Sequence, residues 1–215
     1  MDELGRKTRI DVAGSTKPNP LSTQHSALST RTRTLGIDPG LNRTGYAILE
    51  RGSHGPILCE GGVIRSTVKL SLAERVREIG DGLREVLEQF RPQVMAIEQV
   101  FSTGKYPKSA LLMAHARGAI LFAAASLSVD VVHYTPRQIK RLLTGSGKAA
   151  KDQVQRAVSH ELGLDRLLEP DDVADACAVA LCHYYSVKLP VRGEGRGARG
   201  ETHISQTQTI DEGDA

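Results

Sequence analysis

Tryptophan is absent from this 215-residue chain, aromatic residues make up only 4%, and there are just three methionines and three cysteines. The cysteines are Cys59, Cys177 and Cys182, an odd count without any Cys-x-x-Cys spacing. That pattern suggests neither a disulfide framework nor a zinc site, and the three are expected to be small buried apolar residues. Long hydrophobic runs are missing as well. The longest, Gly118 to Val129, falls short of a membrane span, and the polar N-terminus lacks the compact apolar stretch of a secretory signal. The expectation is a soluble cytoplasmic protein with no membrane partner. With 40% apolar residues the chain can bury one good core, whereas two full-sized domains would be a stretch.

A net charge of +3 is too small to identify a nucleic-acid binder, so its distribution matters more. Between Arg137 and Arg156 six basic residues (Arg137, Lys140, Arg141, Lys148, Lys151, Arg156) face one acid, Asp152. The next stretch, Glu161 to Asp175, holds six acids against Arg166. A basic segment beside a carboxylate cluster suits a metal nuclease, because the first holds a polyanion and the second holds cations. Two helices with solvated charged faces would give the same composition.

Residues 1–33 are rich in Ser, Thr, Lys, Arg and Pro without apolar periodicity, and 190–215 include Arg-Gly-Glu-Gly-Arg-Gly-Ala-Arg-Gly before an acidic end. The first reads as a disordered arm and the second as a flexible tail around one folded domain, 34–189. Within the domain, Thr34 to Asp38, Gly45 to Glu50 and Ile57 to Ile64 read as a meander of three strands. Leu72, Val76, Ile79, Leu83, Val86, Leu87 and Phe90 recur at helical spacing behind Ser71, a suitable N-cap. Val94 to Ile97 and Val129 to Tyr134 are two further strands. Ser109 to Ser128, apolar nearly all round, is expected as a helix packed inside the fold, although its Ala110 to Ala124 portion is equally suited to a subunit contact. Shorter helices are expected near Pro136 to Leu143 and Lys151 to Leu162, and a last one over Asp171 to Val187. The pattern predicts an α/β fold with a mixed sheet of five strands flanked by helices.

Four acids are candidates for chemistry. Asp38 ends a strand in Gly36-Ile37-Asp38-Pro39-Gly40, and Glu98 ends the buried strand Met95-Ala96-Ile97, where a charge is out of character unless it points into a cleft. Asp172 and Asp175 are three apart on a helix and could share a cation. Each also has an ordinary explanation: a turn cap for Asp38, a lysine partner for Glu98, and the helix N-terminus for Asp171 and Asp172. Spacing leaves Asp171 and Asp172 tied, since Asp171 and Asp175 are also neighbours, at i,i+4.

The strings LGIDPGLNRTGYAI, AIEQVF, HARG, PRQIKRLLTGSGKAAKDQVQ and DDVADACAVALCHYY resemble, in order, the motifs of the RuvC family of Holliday junction resolvases over nearly all of residues 34–186. The resemblance implies a ribonuclease H-like fold, a homodimer, and an endodeoxyribonuclease of DNA recombination and repair. It implies that the metal-binding catalytic acids are Asp38, Glu98, Asp172 and Asp175, and so selects Asp172 over Asp171. Mg²⁺ is the expected cofactor, two ions per site, with Mn²⁺ a substitute: such hard ions take oxygen ligands, and a pair about 3.5–4 Å apart can activate water and stabilise a leaving oxyanion. Cleavage leaving a 5′-phosphate and a 3′-hydroxyl is likewise implied by the family. Lys148 and Lys151 are candidates for phosphate contact, and the family favours Lys151 together with Lys140. Phe101 sits in a loop with Ser102, Thr103 and Gly104; the family places an intruding aromatic there, and packing under its own loop is the alternative. His183, two turns beyond Asp175, is expected to be structural or to support the site from behind. The branch-migration proteins RuvA and RuvB are the partners that the resemblance suggests, besides four-way junction DNA.

Two other readings share features with this one. Sugar kinases and chaperone ATPases of the actin-like superfamily also open with a Gly-x-Asp-x-Gly strand turn, but need two such domains. A small ribonuclease H-like nuclease acting on RNA, or a junction-binding module that cuts weakly, is the nearer rival.

Overall fold

The computed structural model describes residues 8–10, 32–99 and 107–187. Alternation along the strands decides what lies on each side of the sheet. In β2 (Arg33–Asp38), Leu35 and Ile37 point to one core while Gly36 and Asp38 point to the other face. β3 (Arg43–Arg51) divides likewise, Tyr46 and Ile48 going one way and Ala47 and Leu49 the other. β4 (Pro56–Arg65) completes the antiparallel meander, and β5 (Val94–Glu98) and β6 (Asp130–Tyr134) add in parallel beyond β2. These five strands are the mixed sheet expected.

A sixth, three-residue strand, β1 (Thr8–Ile10), pairs antiparallel with β4 through Thr8–Val63, giving the order β1-β4-β3-β2-β5-β6. The reading of residues 1–33 as an arm without structure made no provision for it. Three residues are too short to show a period, yet they cover the ladder of an otherwise open edge strand. The rest of the arm, residue 31 and below, and the tail beyond 187 lie outside the described residues, as does Phe101.

Two helices cover one face. α1 (Leu72–Phe90) starts at a capping box in which the Ser71 hydroxyl accepts from the Glu74 N–H, and buries Ile79, Leu83, Val86 and Leu87. α2 (Pro107–Ser126) buries Ala116, Ile120, Ala123 and Ala124 beside them. Its opposite face is open, with Leu111 61% and Phe122 68% exposed. The expectation of a helix packed inside the fold is therefore corrected: one stripe is core and the other faces outward. A helix apolar all round has no moment to announce which side is covered. By length and composition alone Lys108–Ser126 could cross a membrane, which the shorter apolar run read from the sequence did not suggest.

The other face carries α3 (Pro136–Thr144), α4 (Lys151–Glu161) and α5 (Asp171–Ser186). α5 is buried almost throughout, from Val173 to Cys182. It lies so close to β2 and β3 that a Cβ on Gly36 would stand 2.2 Å from the Ala176 carbonyl oxygen, and one on Gly45 would stand 2.0 Å from that of Asp172. Cys177 and Cys182 are buried as expected; Cys59 is exposed, because its place on β4 alternates outward.

Candidate active site

β2 and β5 are neighbours and parallel, with Ile37 opposite Ile97, so the residues that follow, Asp38 and Glu98, leave the sheet side by side at its carboxyl edge. Both point to the α5 side by strand alternation. Carboxyl ends of parallel strands are where α/β sheets open a crevice. α5 supplies Asp175 to the same place, and the three acids line a cleft of about 260 Å³ together with Lys140 of α3 and Lys151 of α4. Ile139, Val154 and Ala178 form its apolar walls.

Burial first, and then the charges of Glu98, Asp175 and Asp172, push the Asp38 carboxyl up to about 8, with Lys151 opposing. Burial and Asp175 push Glu98 up to about 7, against Lys140. Burial also raises Asp175, in spite of its hydrogen bond from Lys151. Carboxyls raised in this way are deficient in nearby positive charge.

Two basic side chains supply part of it. Arg43, at the start of β3, is ion-paired with the Asp172 carboxylate. Lys151 Nζ lies 3.1 Å from Asp175 Oδ2 and 3.2 Å from Asp171 Oδ2. Asp172 lies on the other side of Lys151 from the inner cleft, in an outer, more open one of about 710 Å³ that Arg43, Lys151, Glu169, Pro170 and Asp171 also line. Asp171, whose side chain is 63% exposed, is held below the usual carboxylate range by its hydrogen bond from Lys151.

The donor set is oxygen throughout, which suits a hard divalent ion. Among the described residues no three Asp, Glu, His or Cys side chains close around a single ion position; Arg43 and Lys151 hold Asp172 and Asp175 instead. The set fits the ion in chemistry and in charge deficit, and Asp38, Glu98, Asp172 and Asp175 are the residues that could hold it.

Of the candidate phosphate contacts, Lys140 and Lys151 face the cleft, while Lys148 is exposed in the turn between α3 and α4 and is not among the lining residues. His183 turns away from the acids: its Nδ1 lies 3.0 Å from the Tyr134 hydroxyl, and Tyr134 is paired with Glu98 across β5 and β6. It can steady the strand end that carries Glu98. Arg43 is the residue that sequence reasoning passed over. The signal available was a charge at the start of a buried strand five residues beyond Asp38; its partner, however, is set by the contact between β3 and α5.

A mixed sheet of this order, with carboxylates at adjoining strand ends and on one covering helix, defines the ribonuclease H-like resolvase fold. A family profile described as crossover junction endodeoxyribonuclease RuvC matches residues 34–183. A relative of that description from Rhodopirellula baltica is 50% identical over 159 residues, covering 73% of this chain and 88% of that protein. Among solved structures, Thermus thermophilus RuvC in complex with a Holliday junction substrate is 35% identical, with a TM-score of 0.67 over 72% of this chain and 94% of the other. The yeast mitochondrial Holliday junction resolvase Ydc2, 16% identical with a TM-score of 0.55, covering 73% of this chain and 79% of its own, shares the fold. The chain belongs to the RuvC family.

Proposed function

We propose that this protein is a structure-selective endonuclease that resolves Holliday junctions by paired symmetrical nicks, hydrolysing DNA phosphodiesters in recombination and repair. The observation that carries the reading is the convergence of Asp38, Glu98 and Asp175 in one cleft beside Lys140 and Lys151, on a chain of this family. Relatives carry the name crossover junction endodeoxyribonuclease, and one is described in complex with a junction.

Asp38, Glu98, Asp172 and Asp175 would hold two Mg²⁺ ions, or Mn²⁺ in their place. When bound, such ions supply a nucleophilic water at neutral pH and stabilise the leaving oxygen. The chain's own part is to orient. Strand ends fix Asp38 and Glu98 rigidly, and Lys140 and Lys151 hold backbone phosphate against the cleft. Product ends of 5′-phosphate and 3′-hydroxyl follow the family pattern. Phe101 is proposed as the residue that stacks on a base at the crossover.

Cutting two strands symmetrically needs two sites, and one domain offers one. A two-fold homodimer supplies both. The open apolar face of α2, with Leu111 and Phe122, supports a subunit contact there. RuvA and RuvB are proposed partners, and the cytoplasm is the proposed location.

Incubation with Mg²⁺ of a synthetic four-way junction, a linear duplex and an RNA–DNA hybrid tests the reading. Paired nicks on the junction alone are expected. Cleavage of the hybrid in preference to the junction would favour the RNA-directed rival, and binding without cutting would favour a junction-binding module.

A further inference from the structure

The first turn of α5 rests on the start of β3, with no room even for a methyl group on Gly45 against the Asp172 carbonyl. That contact delivers the Arg43 guanidinium to the Asp172 carboxylate. Lys151 is held in a parallel way by Asp175 and Asp171. Without a metal, two side-chain cations thus pair with three acids at the site, Asp172, Asp175 and Asp171.

Two divalent ions would carry as much positive charge as the four carboxylates carry negative. Arg43 would then be left beside Asp172 without an anion to itself. It is poorly satisfied even now: its Nε is buried and has no hydrogen-bond partner among the described residues, while the side chain as a whole is 39% exposed. A buried donor without an acceptor is costly, so the Asp172-bound position is one that the guanidinium gains by leaving once its charge partner is taken. The outer cleft into which it can turn also holds Lys151. A guanidinium fits a phosphate by two parallel hydrogen bonds.

We propose that Arg43 is a shared cation, which neutralises Asp172 in the metal-free protein and passes to a DNA backbone phosphate when a divalent ion takes Asp172. This rests on the function proposed above. It makes metal and junction binding mutually reinforcing, since a ligand that frees Arg43 for the other must be helped by it to the same degree.

The test uses the full chain and two probes. Junction binding is followed by fluorescence anisotropy in EDTA and in Ca²⁺, over a range of salt. Mn²⁺ binding to the DNA-free protein is followed by electron paramagnetic resonance. For the wild type, Ca²⁺ tightens junction binding and steepens its salt dependence. For Arg43→Gln, the slope of log K on log salt falls by about 0.9 in Ca²⁺, one phosphate contact, and is unchanged in EDTA, where Asp172 holds the guanidinium of the wild type. Mn²⁺ binds Arg43→Gln several-fold more tightly, because the competing cation is gone, and Arg43→Lys restores most of the wild-type behaviour. A cooperative melting transition above the assay temperature establishes that the variant is folded. Arg43→Gln with the wild-type salt slope in Ca²⁺, or with Mn²⁺ affinity no higher than wild type, overturns the proposal and leaves the nuclease reading standing. A wild type that binds no junction under either condition overturns both.

Discussion

Asp38 and Glu98 stand side by side, one step beyond the paired Ile37 and Ile97, on adjacent parallel strands. Their carboxyls, raised to about 8 and about 7 chiefly by burial, stay protonated in the metal-free fold at pH values where an unfolded chain has lost those protons. The folded state therefore binds more protons, and stability falls as pH rises from the ordinary carboxylate range toward about 8. Melting temperatures in EDTA should drop across that window. Mg²⁺, which binds the deprotonated acids, should raise the melting temperature more at the alkaline end than at the acid end. Asp38→Asn should flatten the EDTA profile; a profile that rises with pH in wild type would contradict the charge deficit.

Gly36 and Gly45 are expected to be intolerant of any side chain, since a Cβ at either meets a carbonyl oxygen of α5 at little more than 2 Å. Gly45→Ala should cost about 3 kcal/mol, at the upper end of overpacking penalties, and should displace Asp172 along with its helix. Denaturant unfolding measures the first effect, and weaker Mn²⁺ binding at matched folded fraction measures the second. Gly118, around which a Cβ would find nothing within 4 Å, serves as the control: Gly118→Ala should be neutral or mildly stabilising.

Phe122→Glu addresses the open side of α2. In the proposed homodimer this change buries a charge in an apolar contact, and sedimentation should show a monomer whose fold is intact. Junction cleavage should lose its symmetry, with single nicks replacing paired ones. A Phe122→Glu protein that remains a dimer would place the subunit contact elsewhere.

Lys140 and Lys151 differ from Lys148 in facing the cleft. Replacing either of the first two by Gln should weaken junction binding and lower its salt slope by about one phosphate contact, whereas Lys148→Gln should change the slope little. Anisotropy titrations at several salt concentrations separate these outcomes.

Much of the site was legible in the sequence because its chemistry is local. An acid directly after an apolar strand, as at Ile37-Asp38 and Ile97-Glu98, has to leave the core at the strand end, wherever that strand sits. Helical spacing brought Asp172 and Asp175 together but left Asp171 as good a candidate. The structure separates the pair by surroundings: Asp171 is exposed and paired with Lys151, while Asp172 meets Arg43 against β3. Arg43 could not be read in the same way, since its partner depends on how closely α5 packs on β2 and β3, which Gly36 and Gly45 decide. The buried side of α2 was hidden for a different reason, that residues apolar on every face leave the choice to the neighbours, here α1 and the sheet. The strand Thr8–Ile10 was missed because three residues carry no period.

If the acids in this cleft cut a four-way junction, Asp38→Asn should lose cleavage, with cleavage and binding measured in parallel on one synthetic junction in Mg²⁺. Removing one ligand of a charge-stabilising ion forfeits several kcal/mol, so cleavage should fall by about 10³-fold or more while junction affinity stays close to wild type. An Asp38→Asn protein that cuts the junction at the wild-type rate would remove Asp38 from the chemistry.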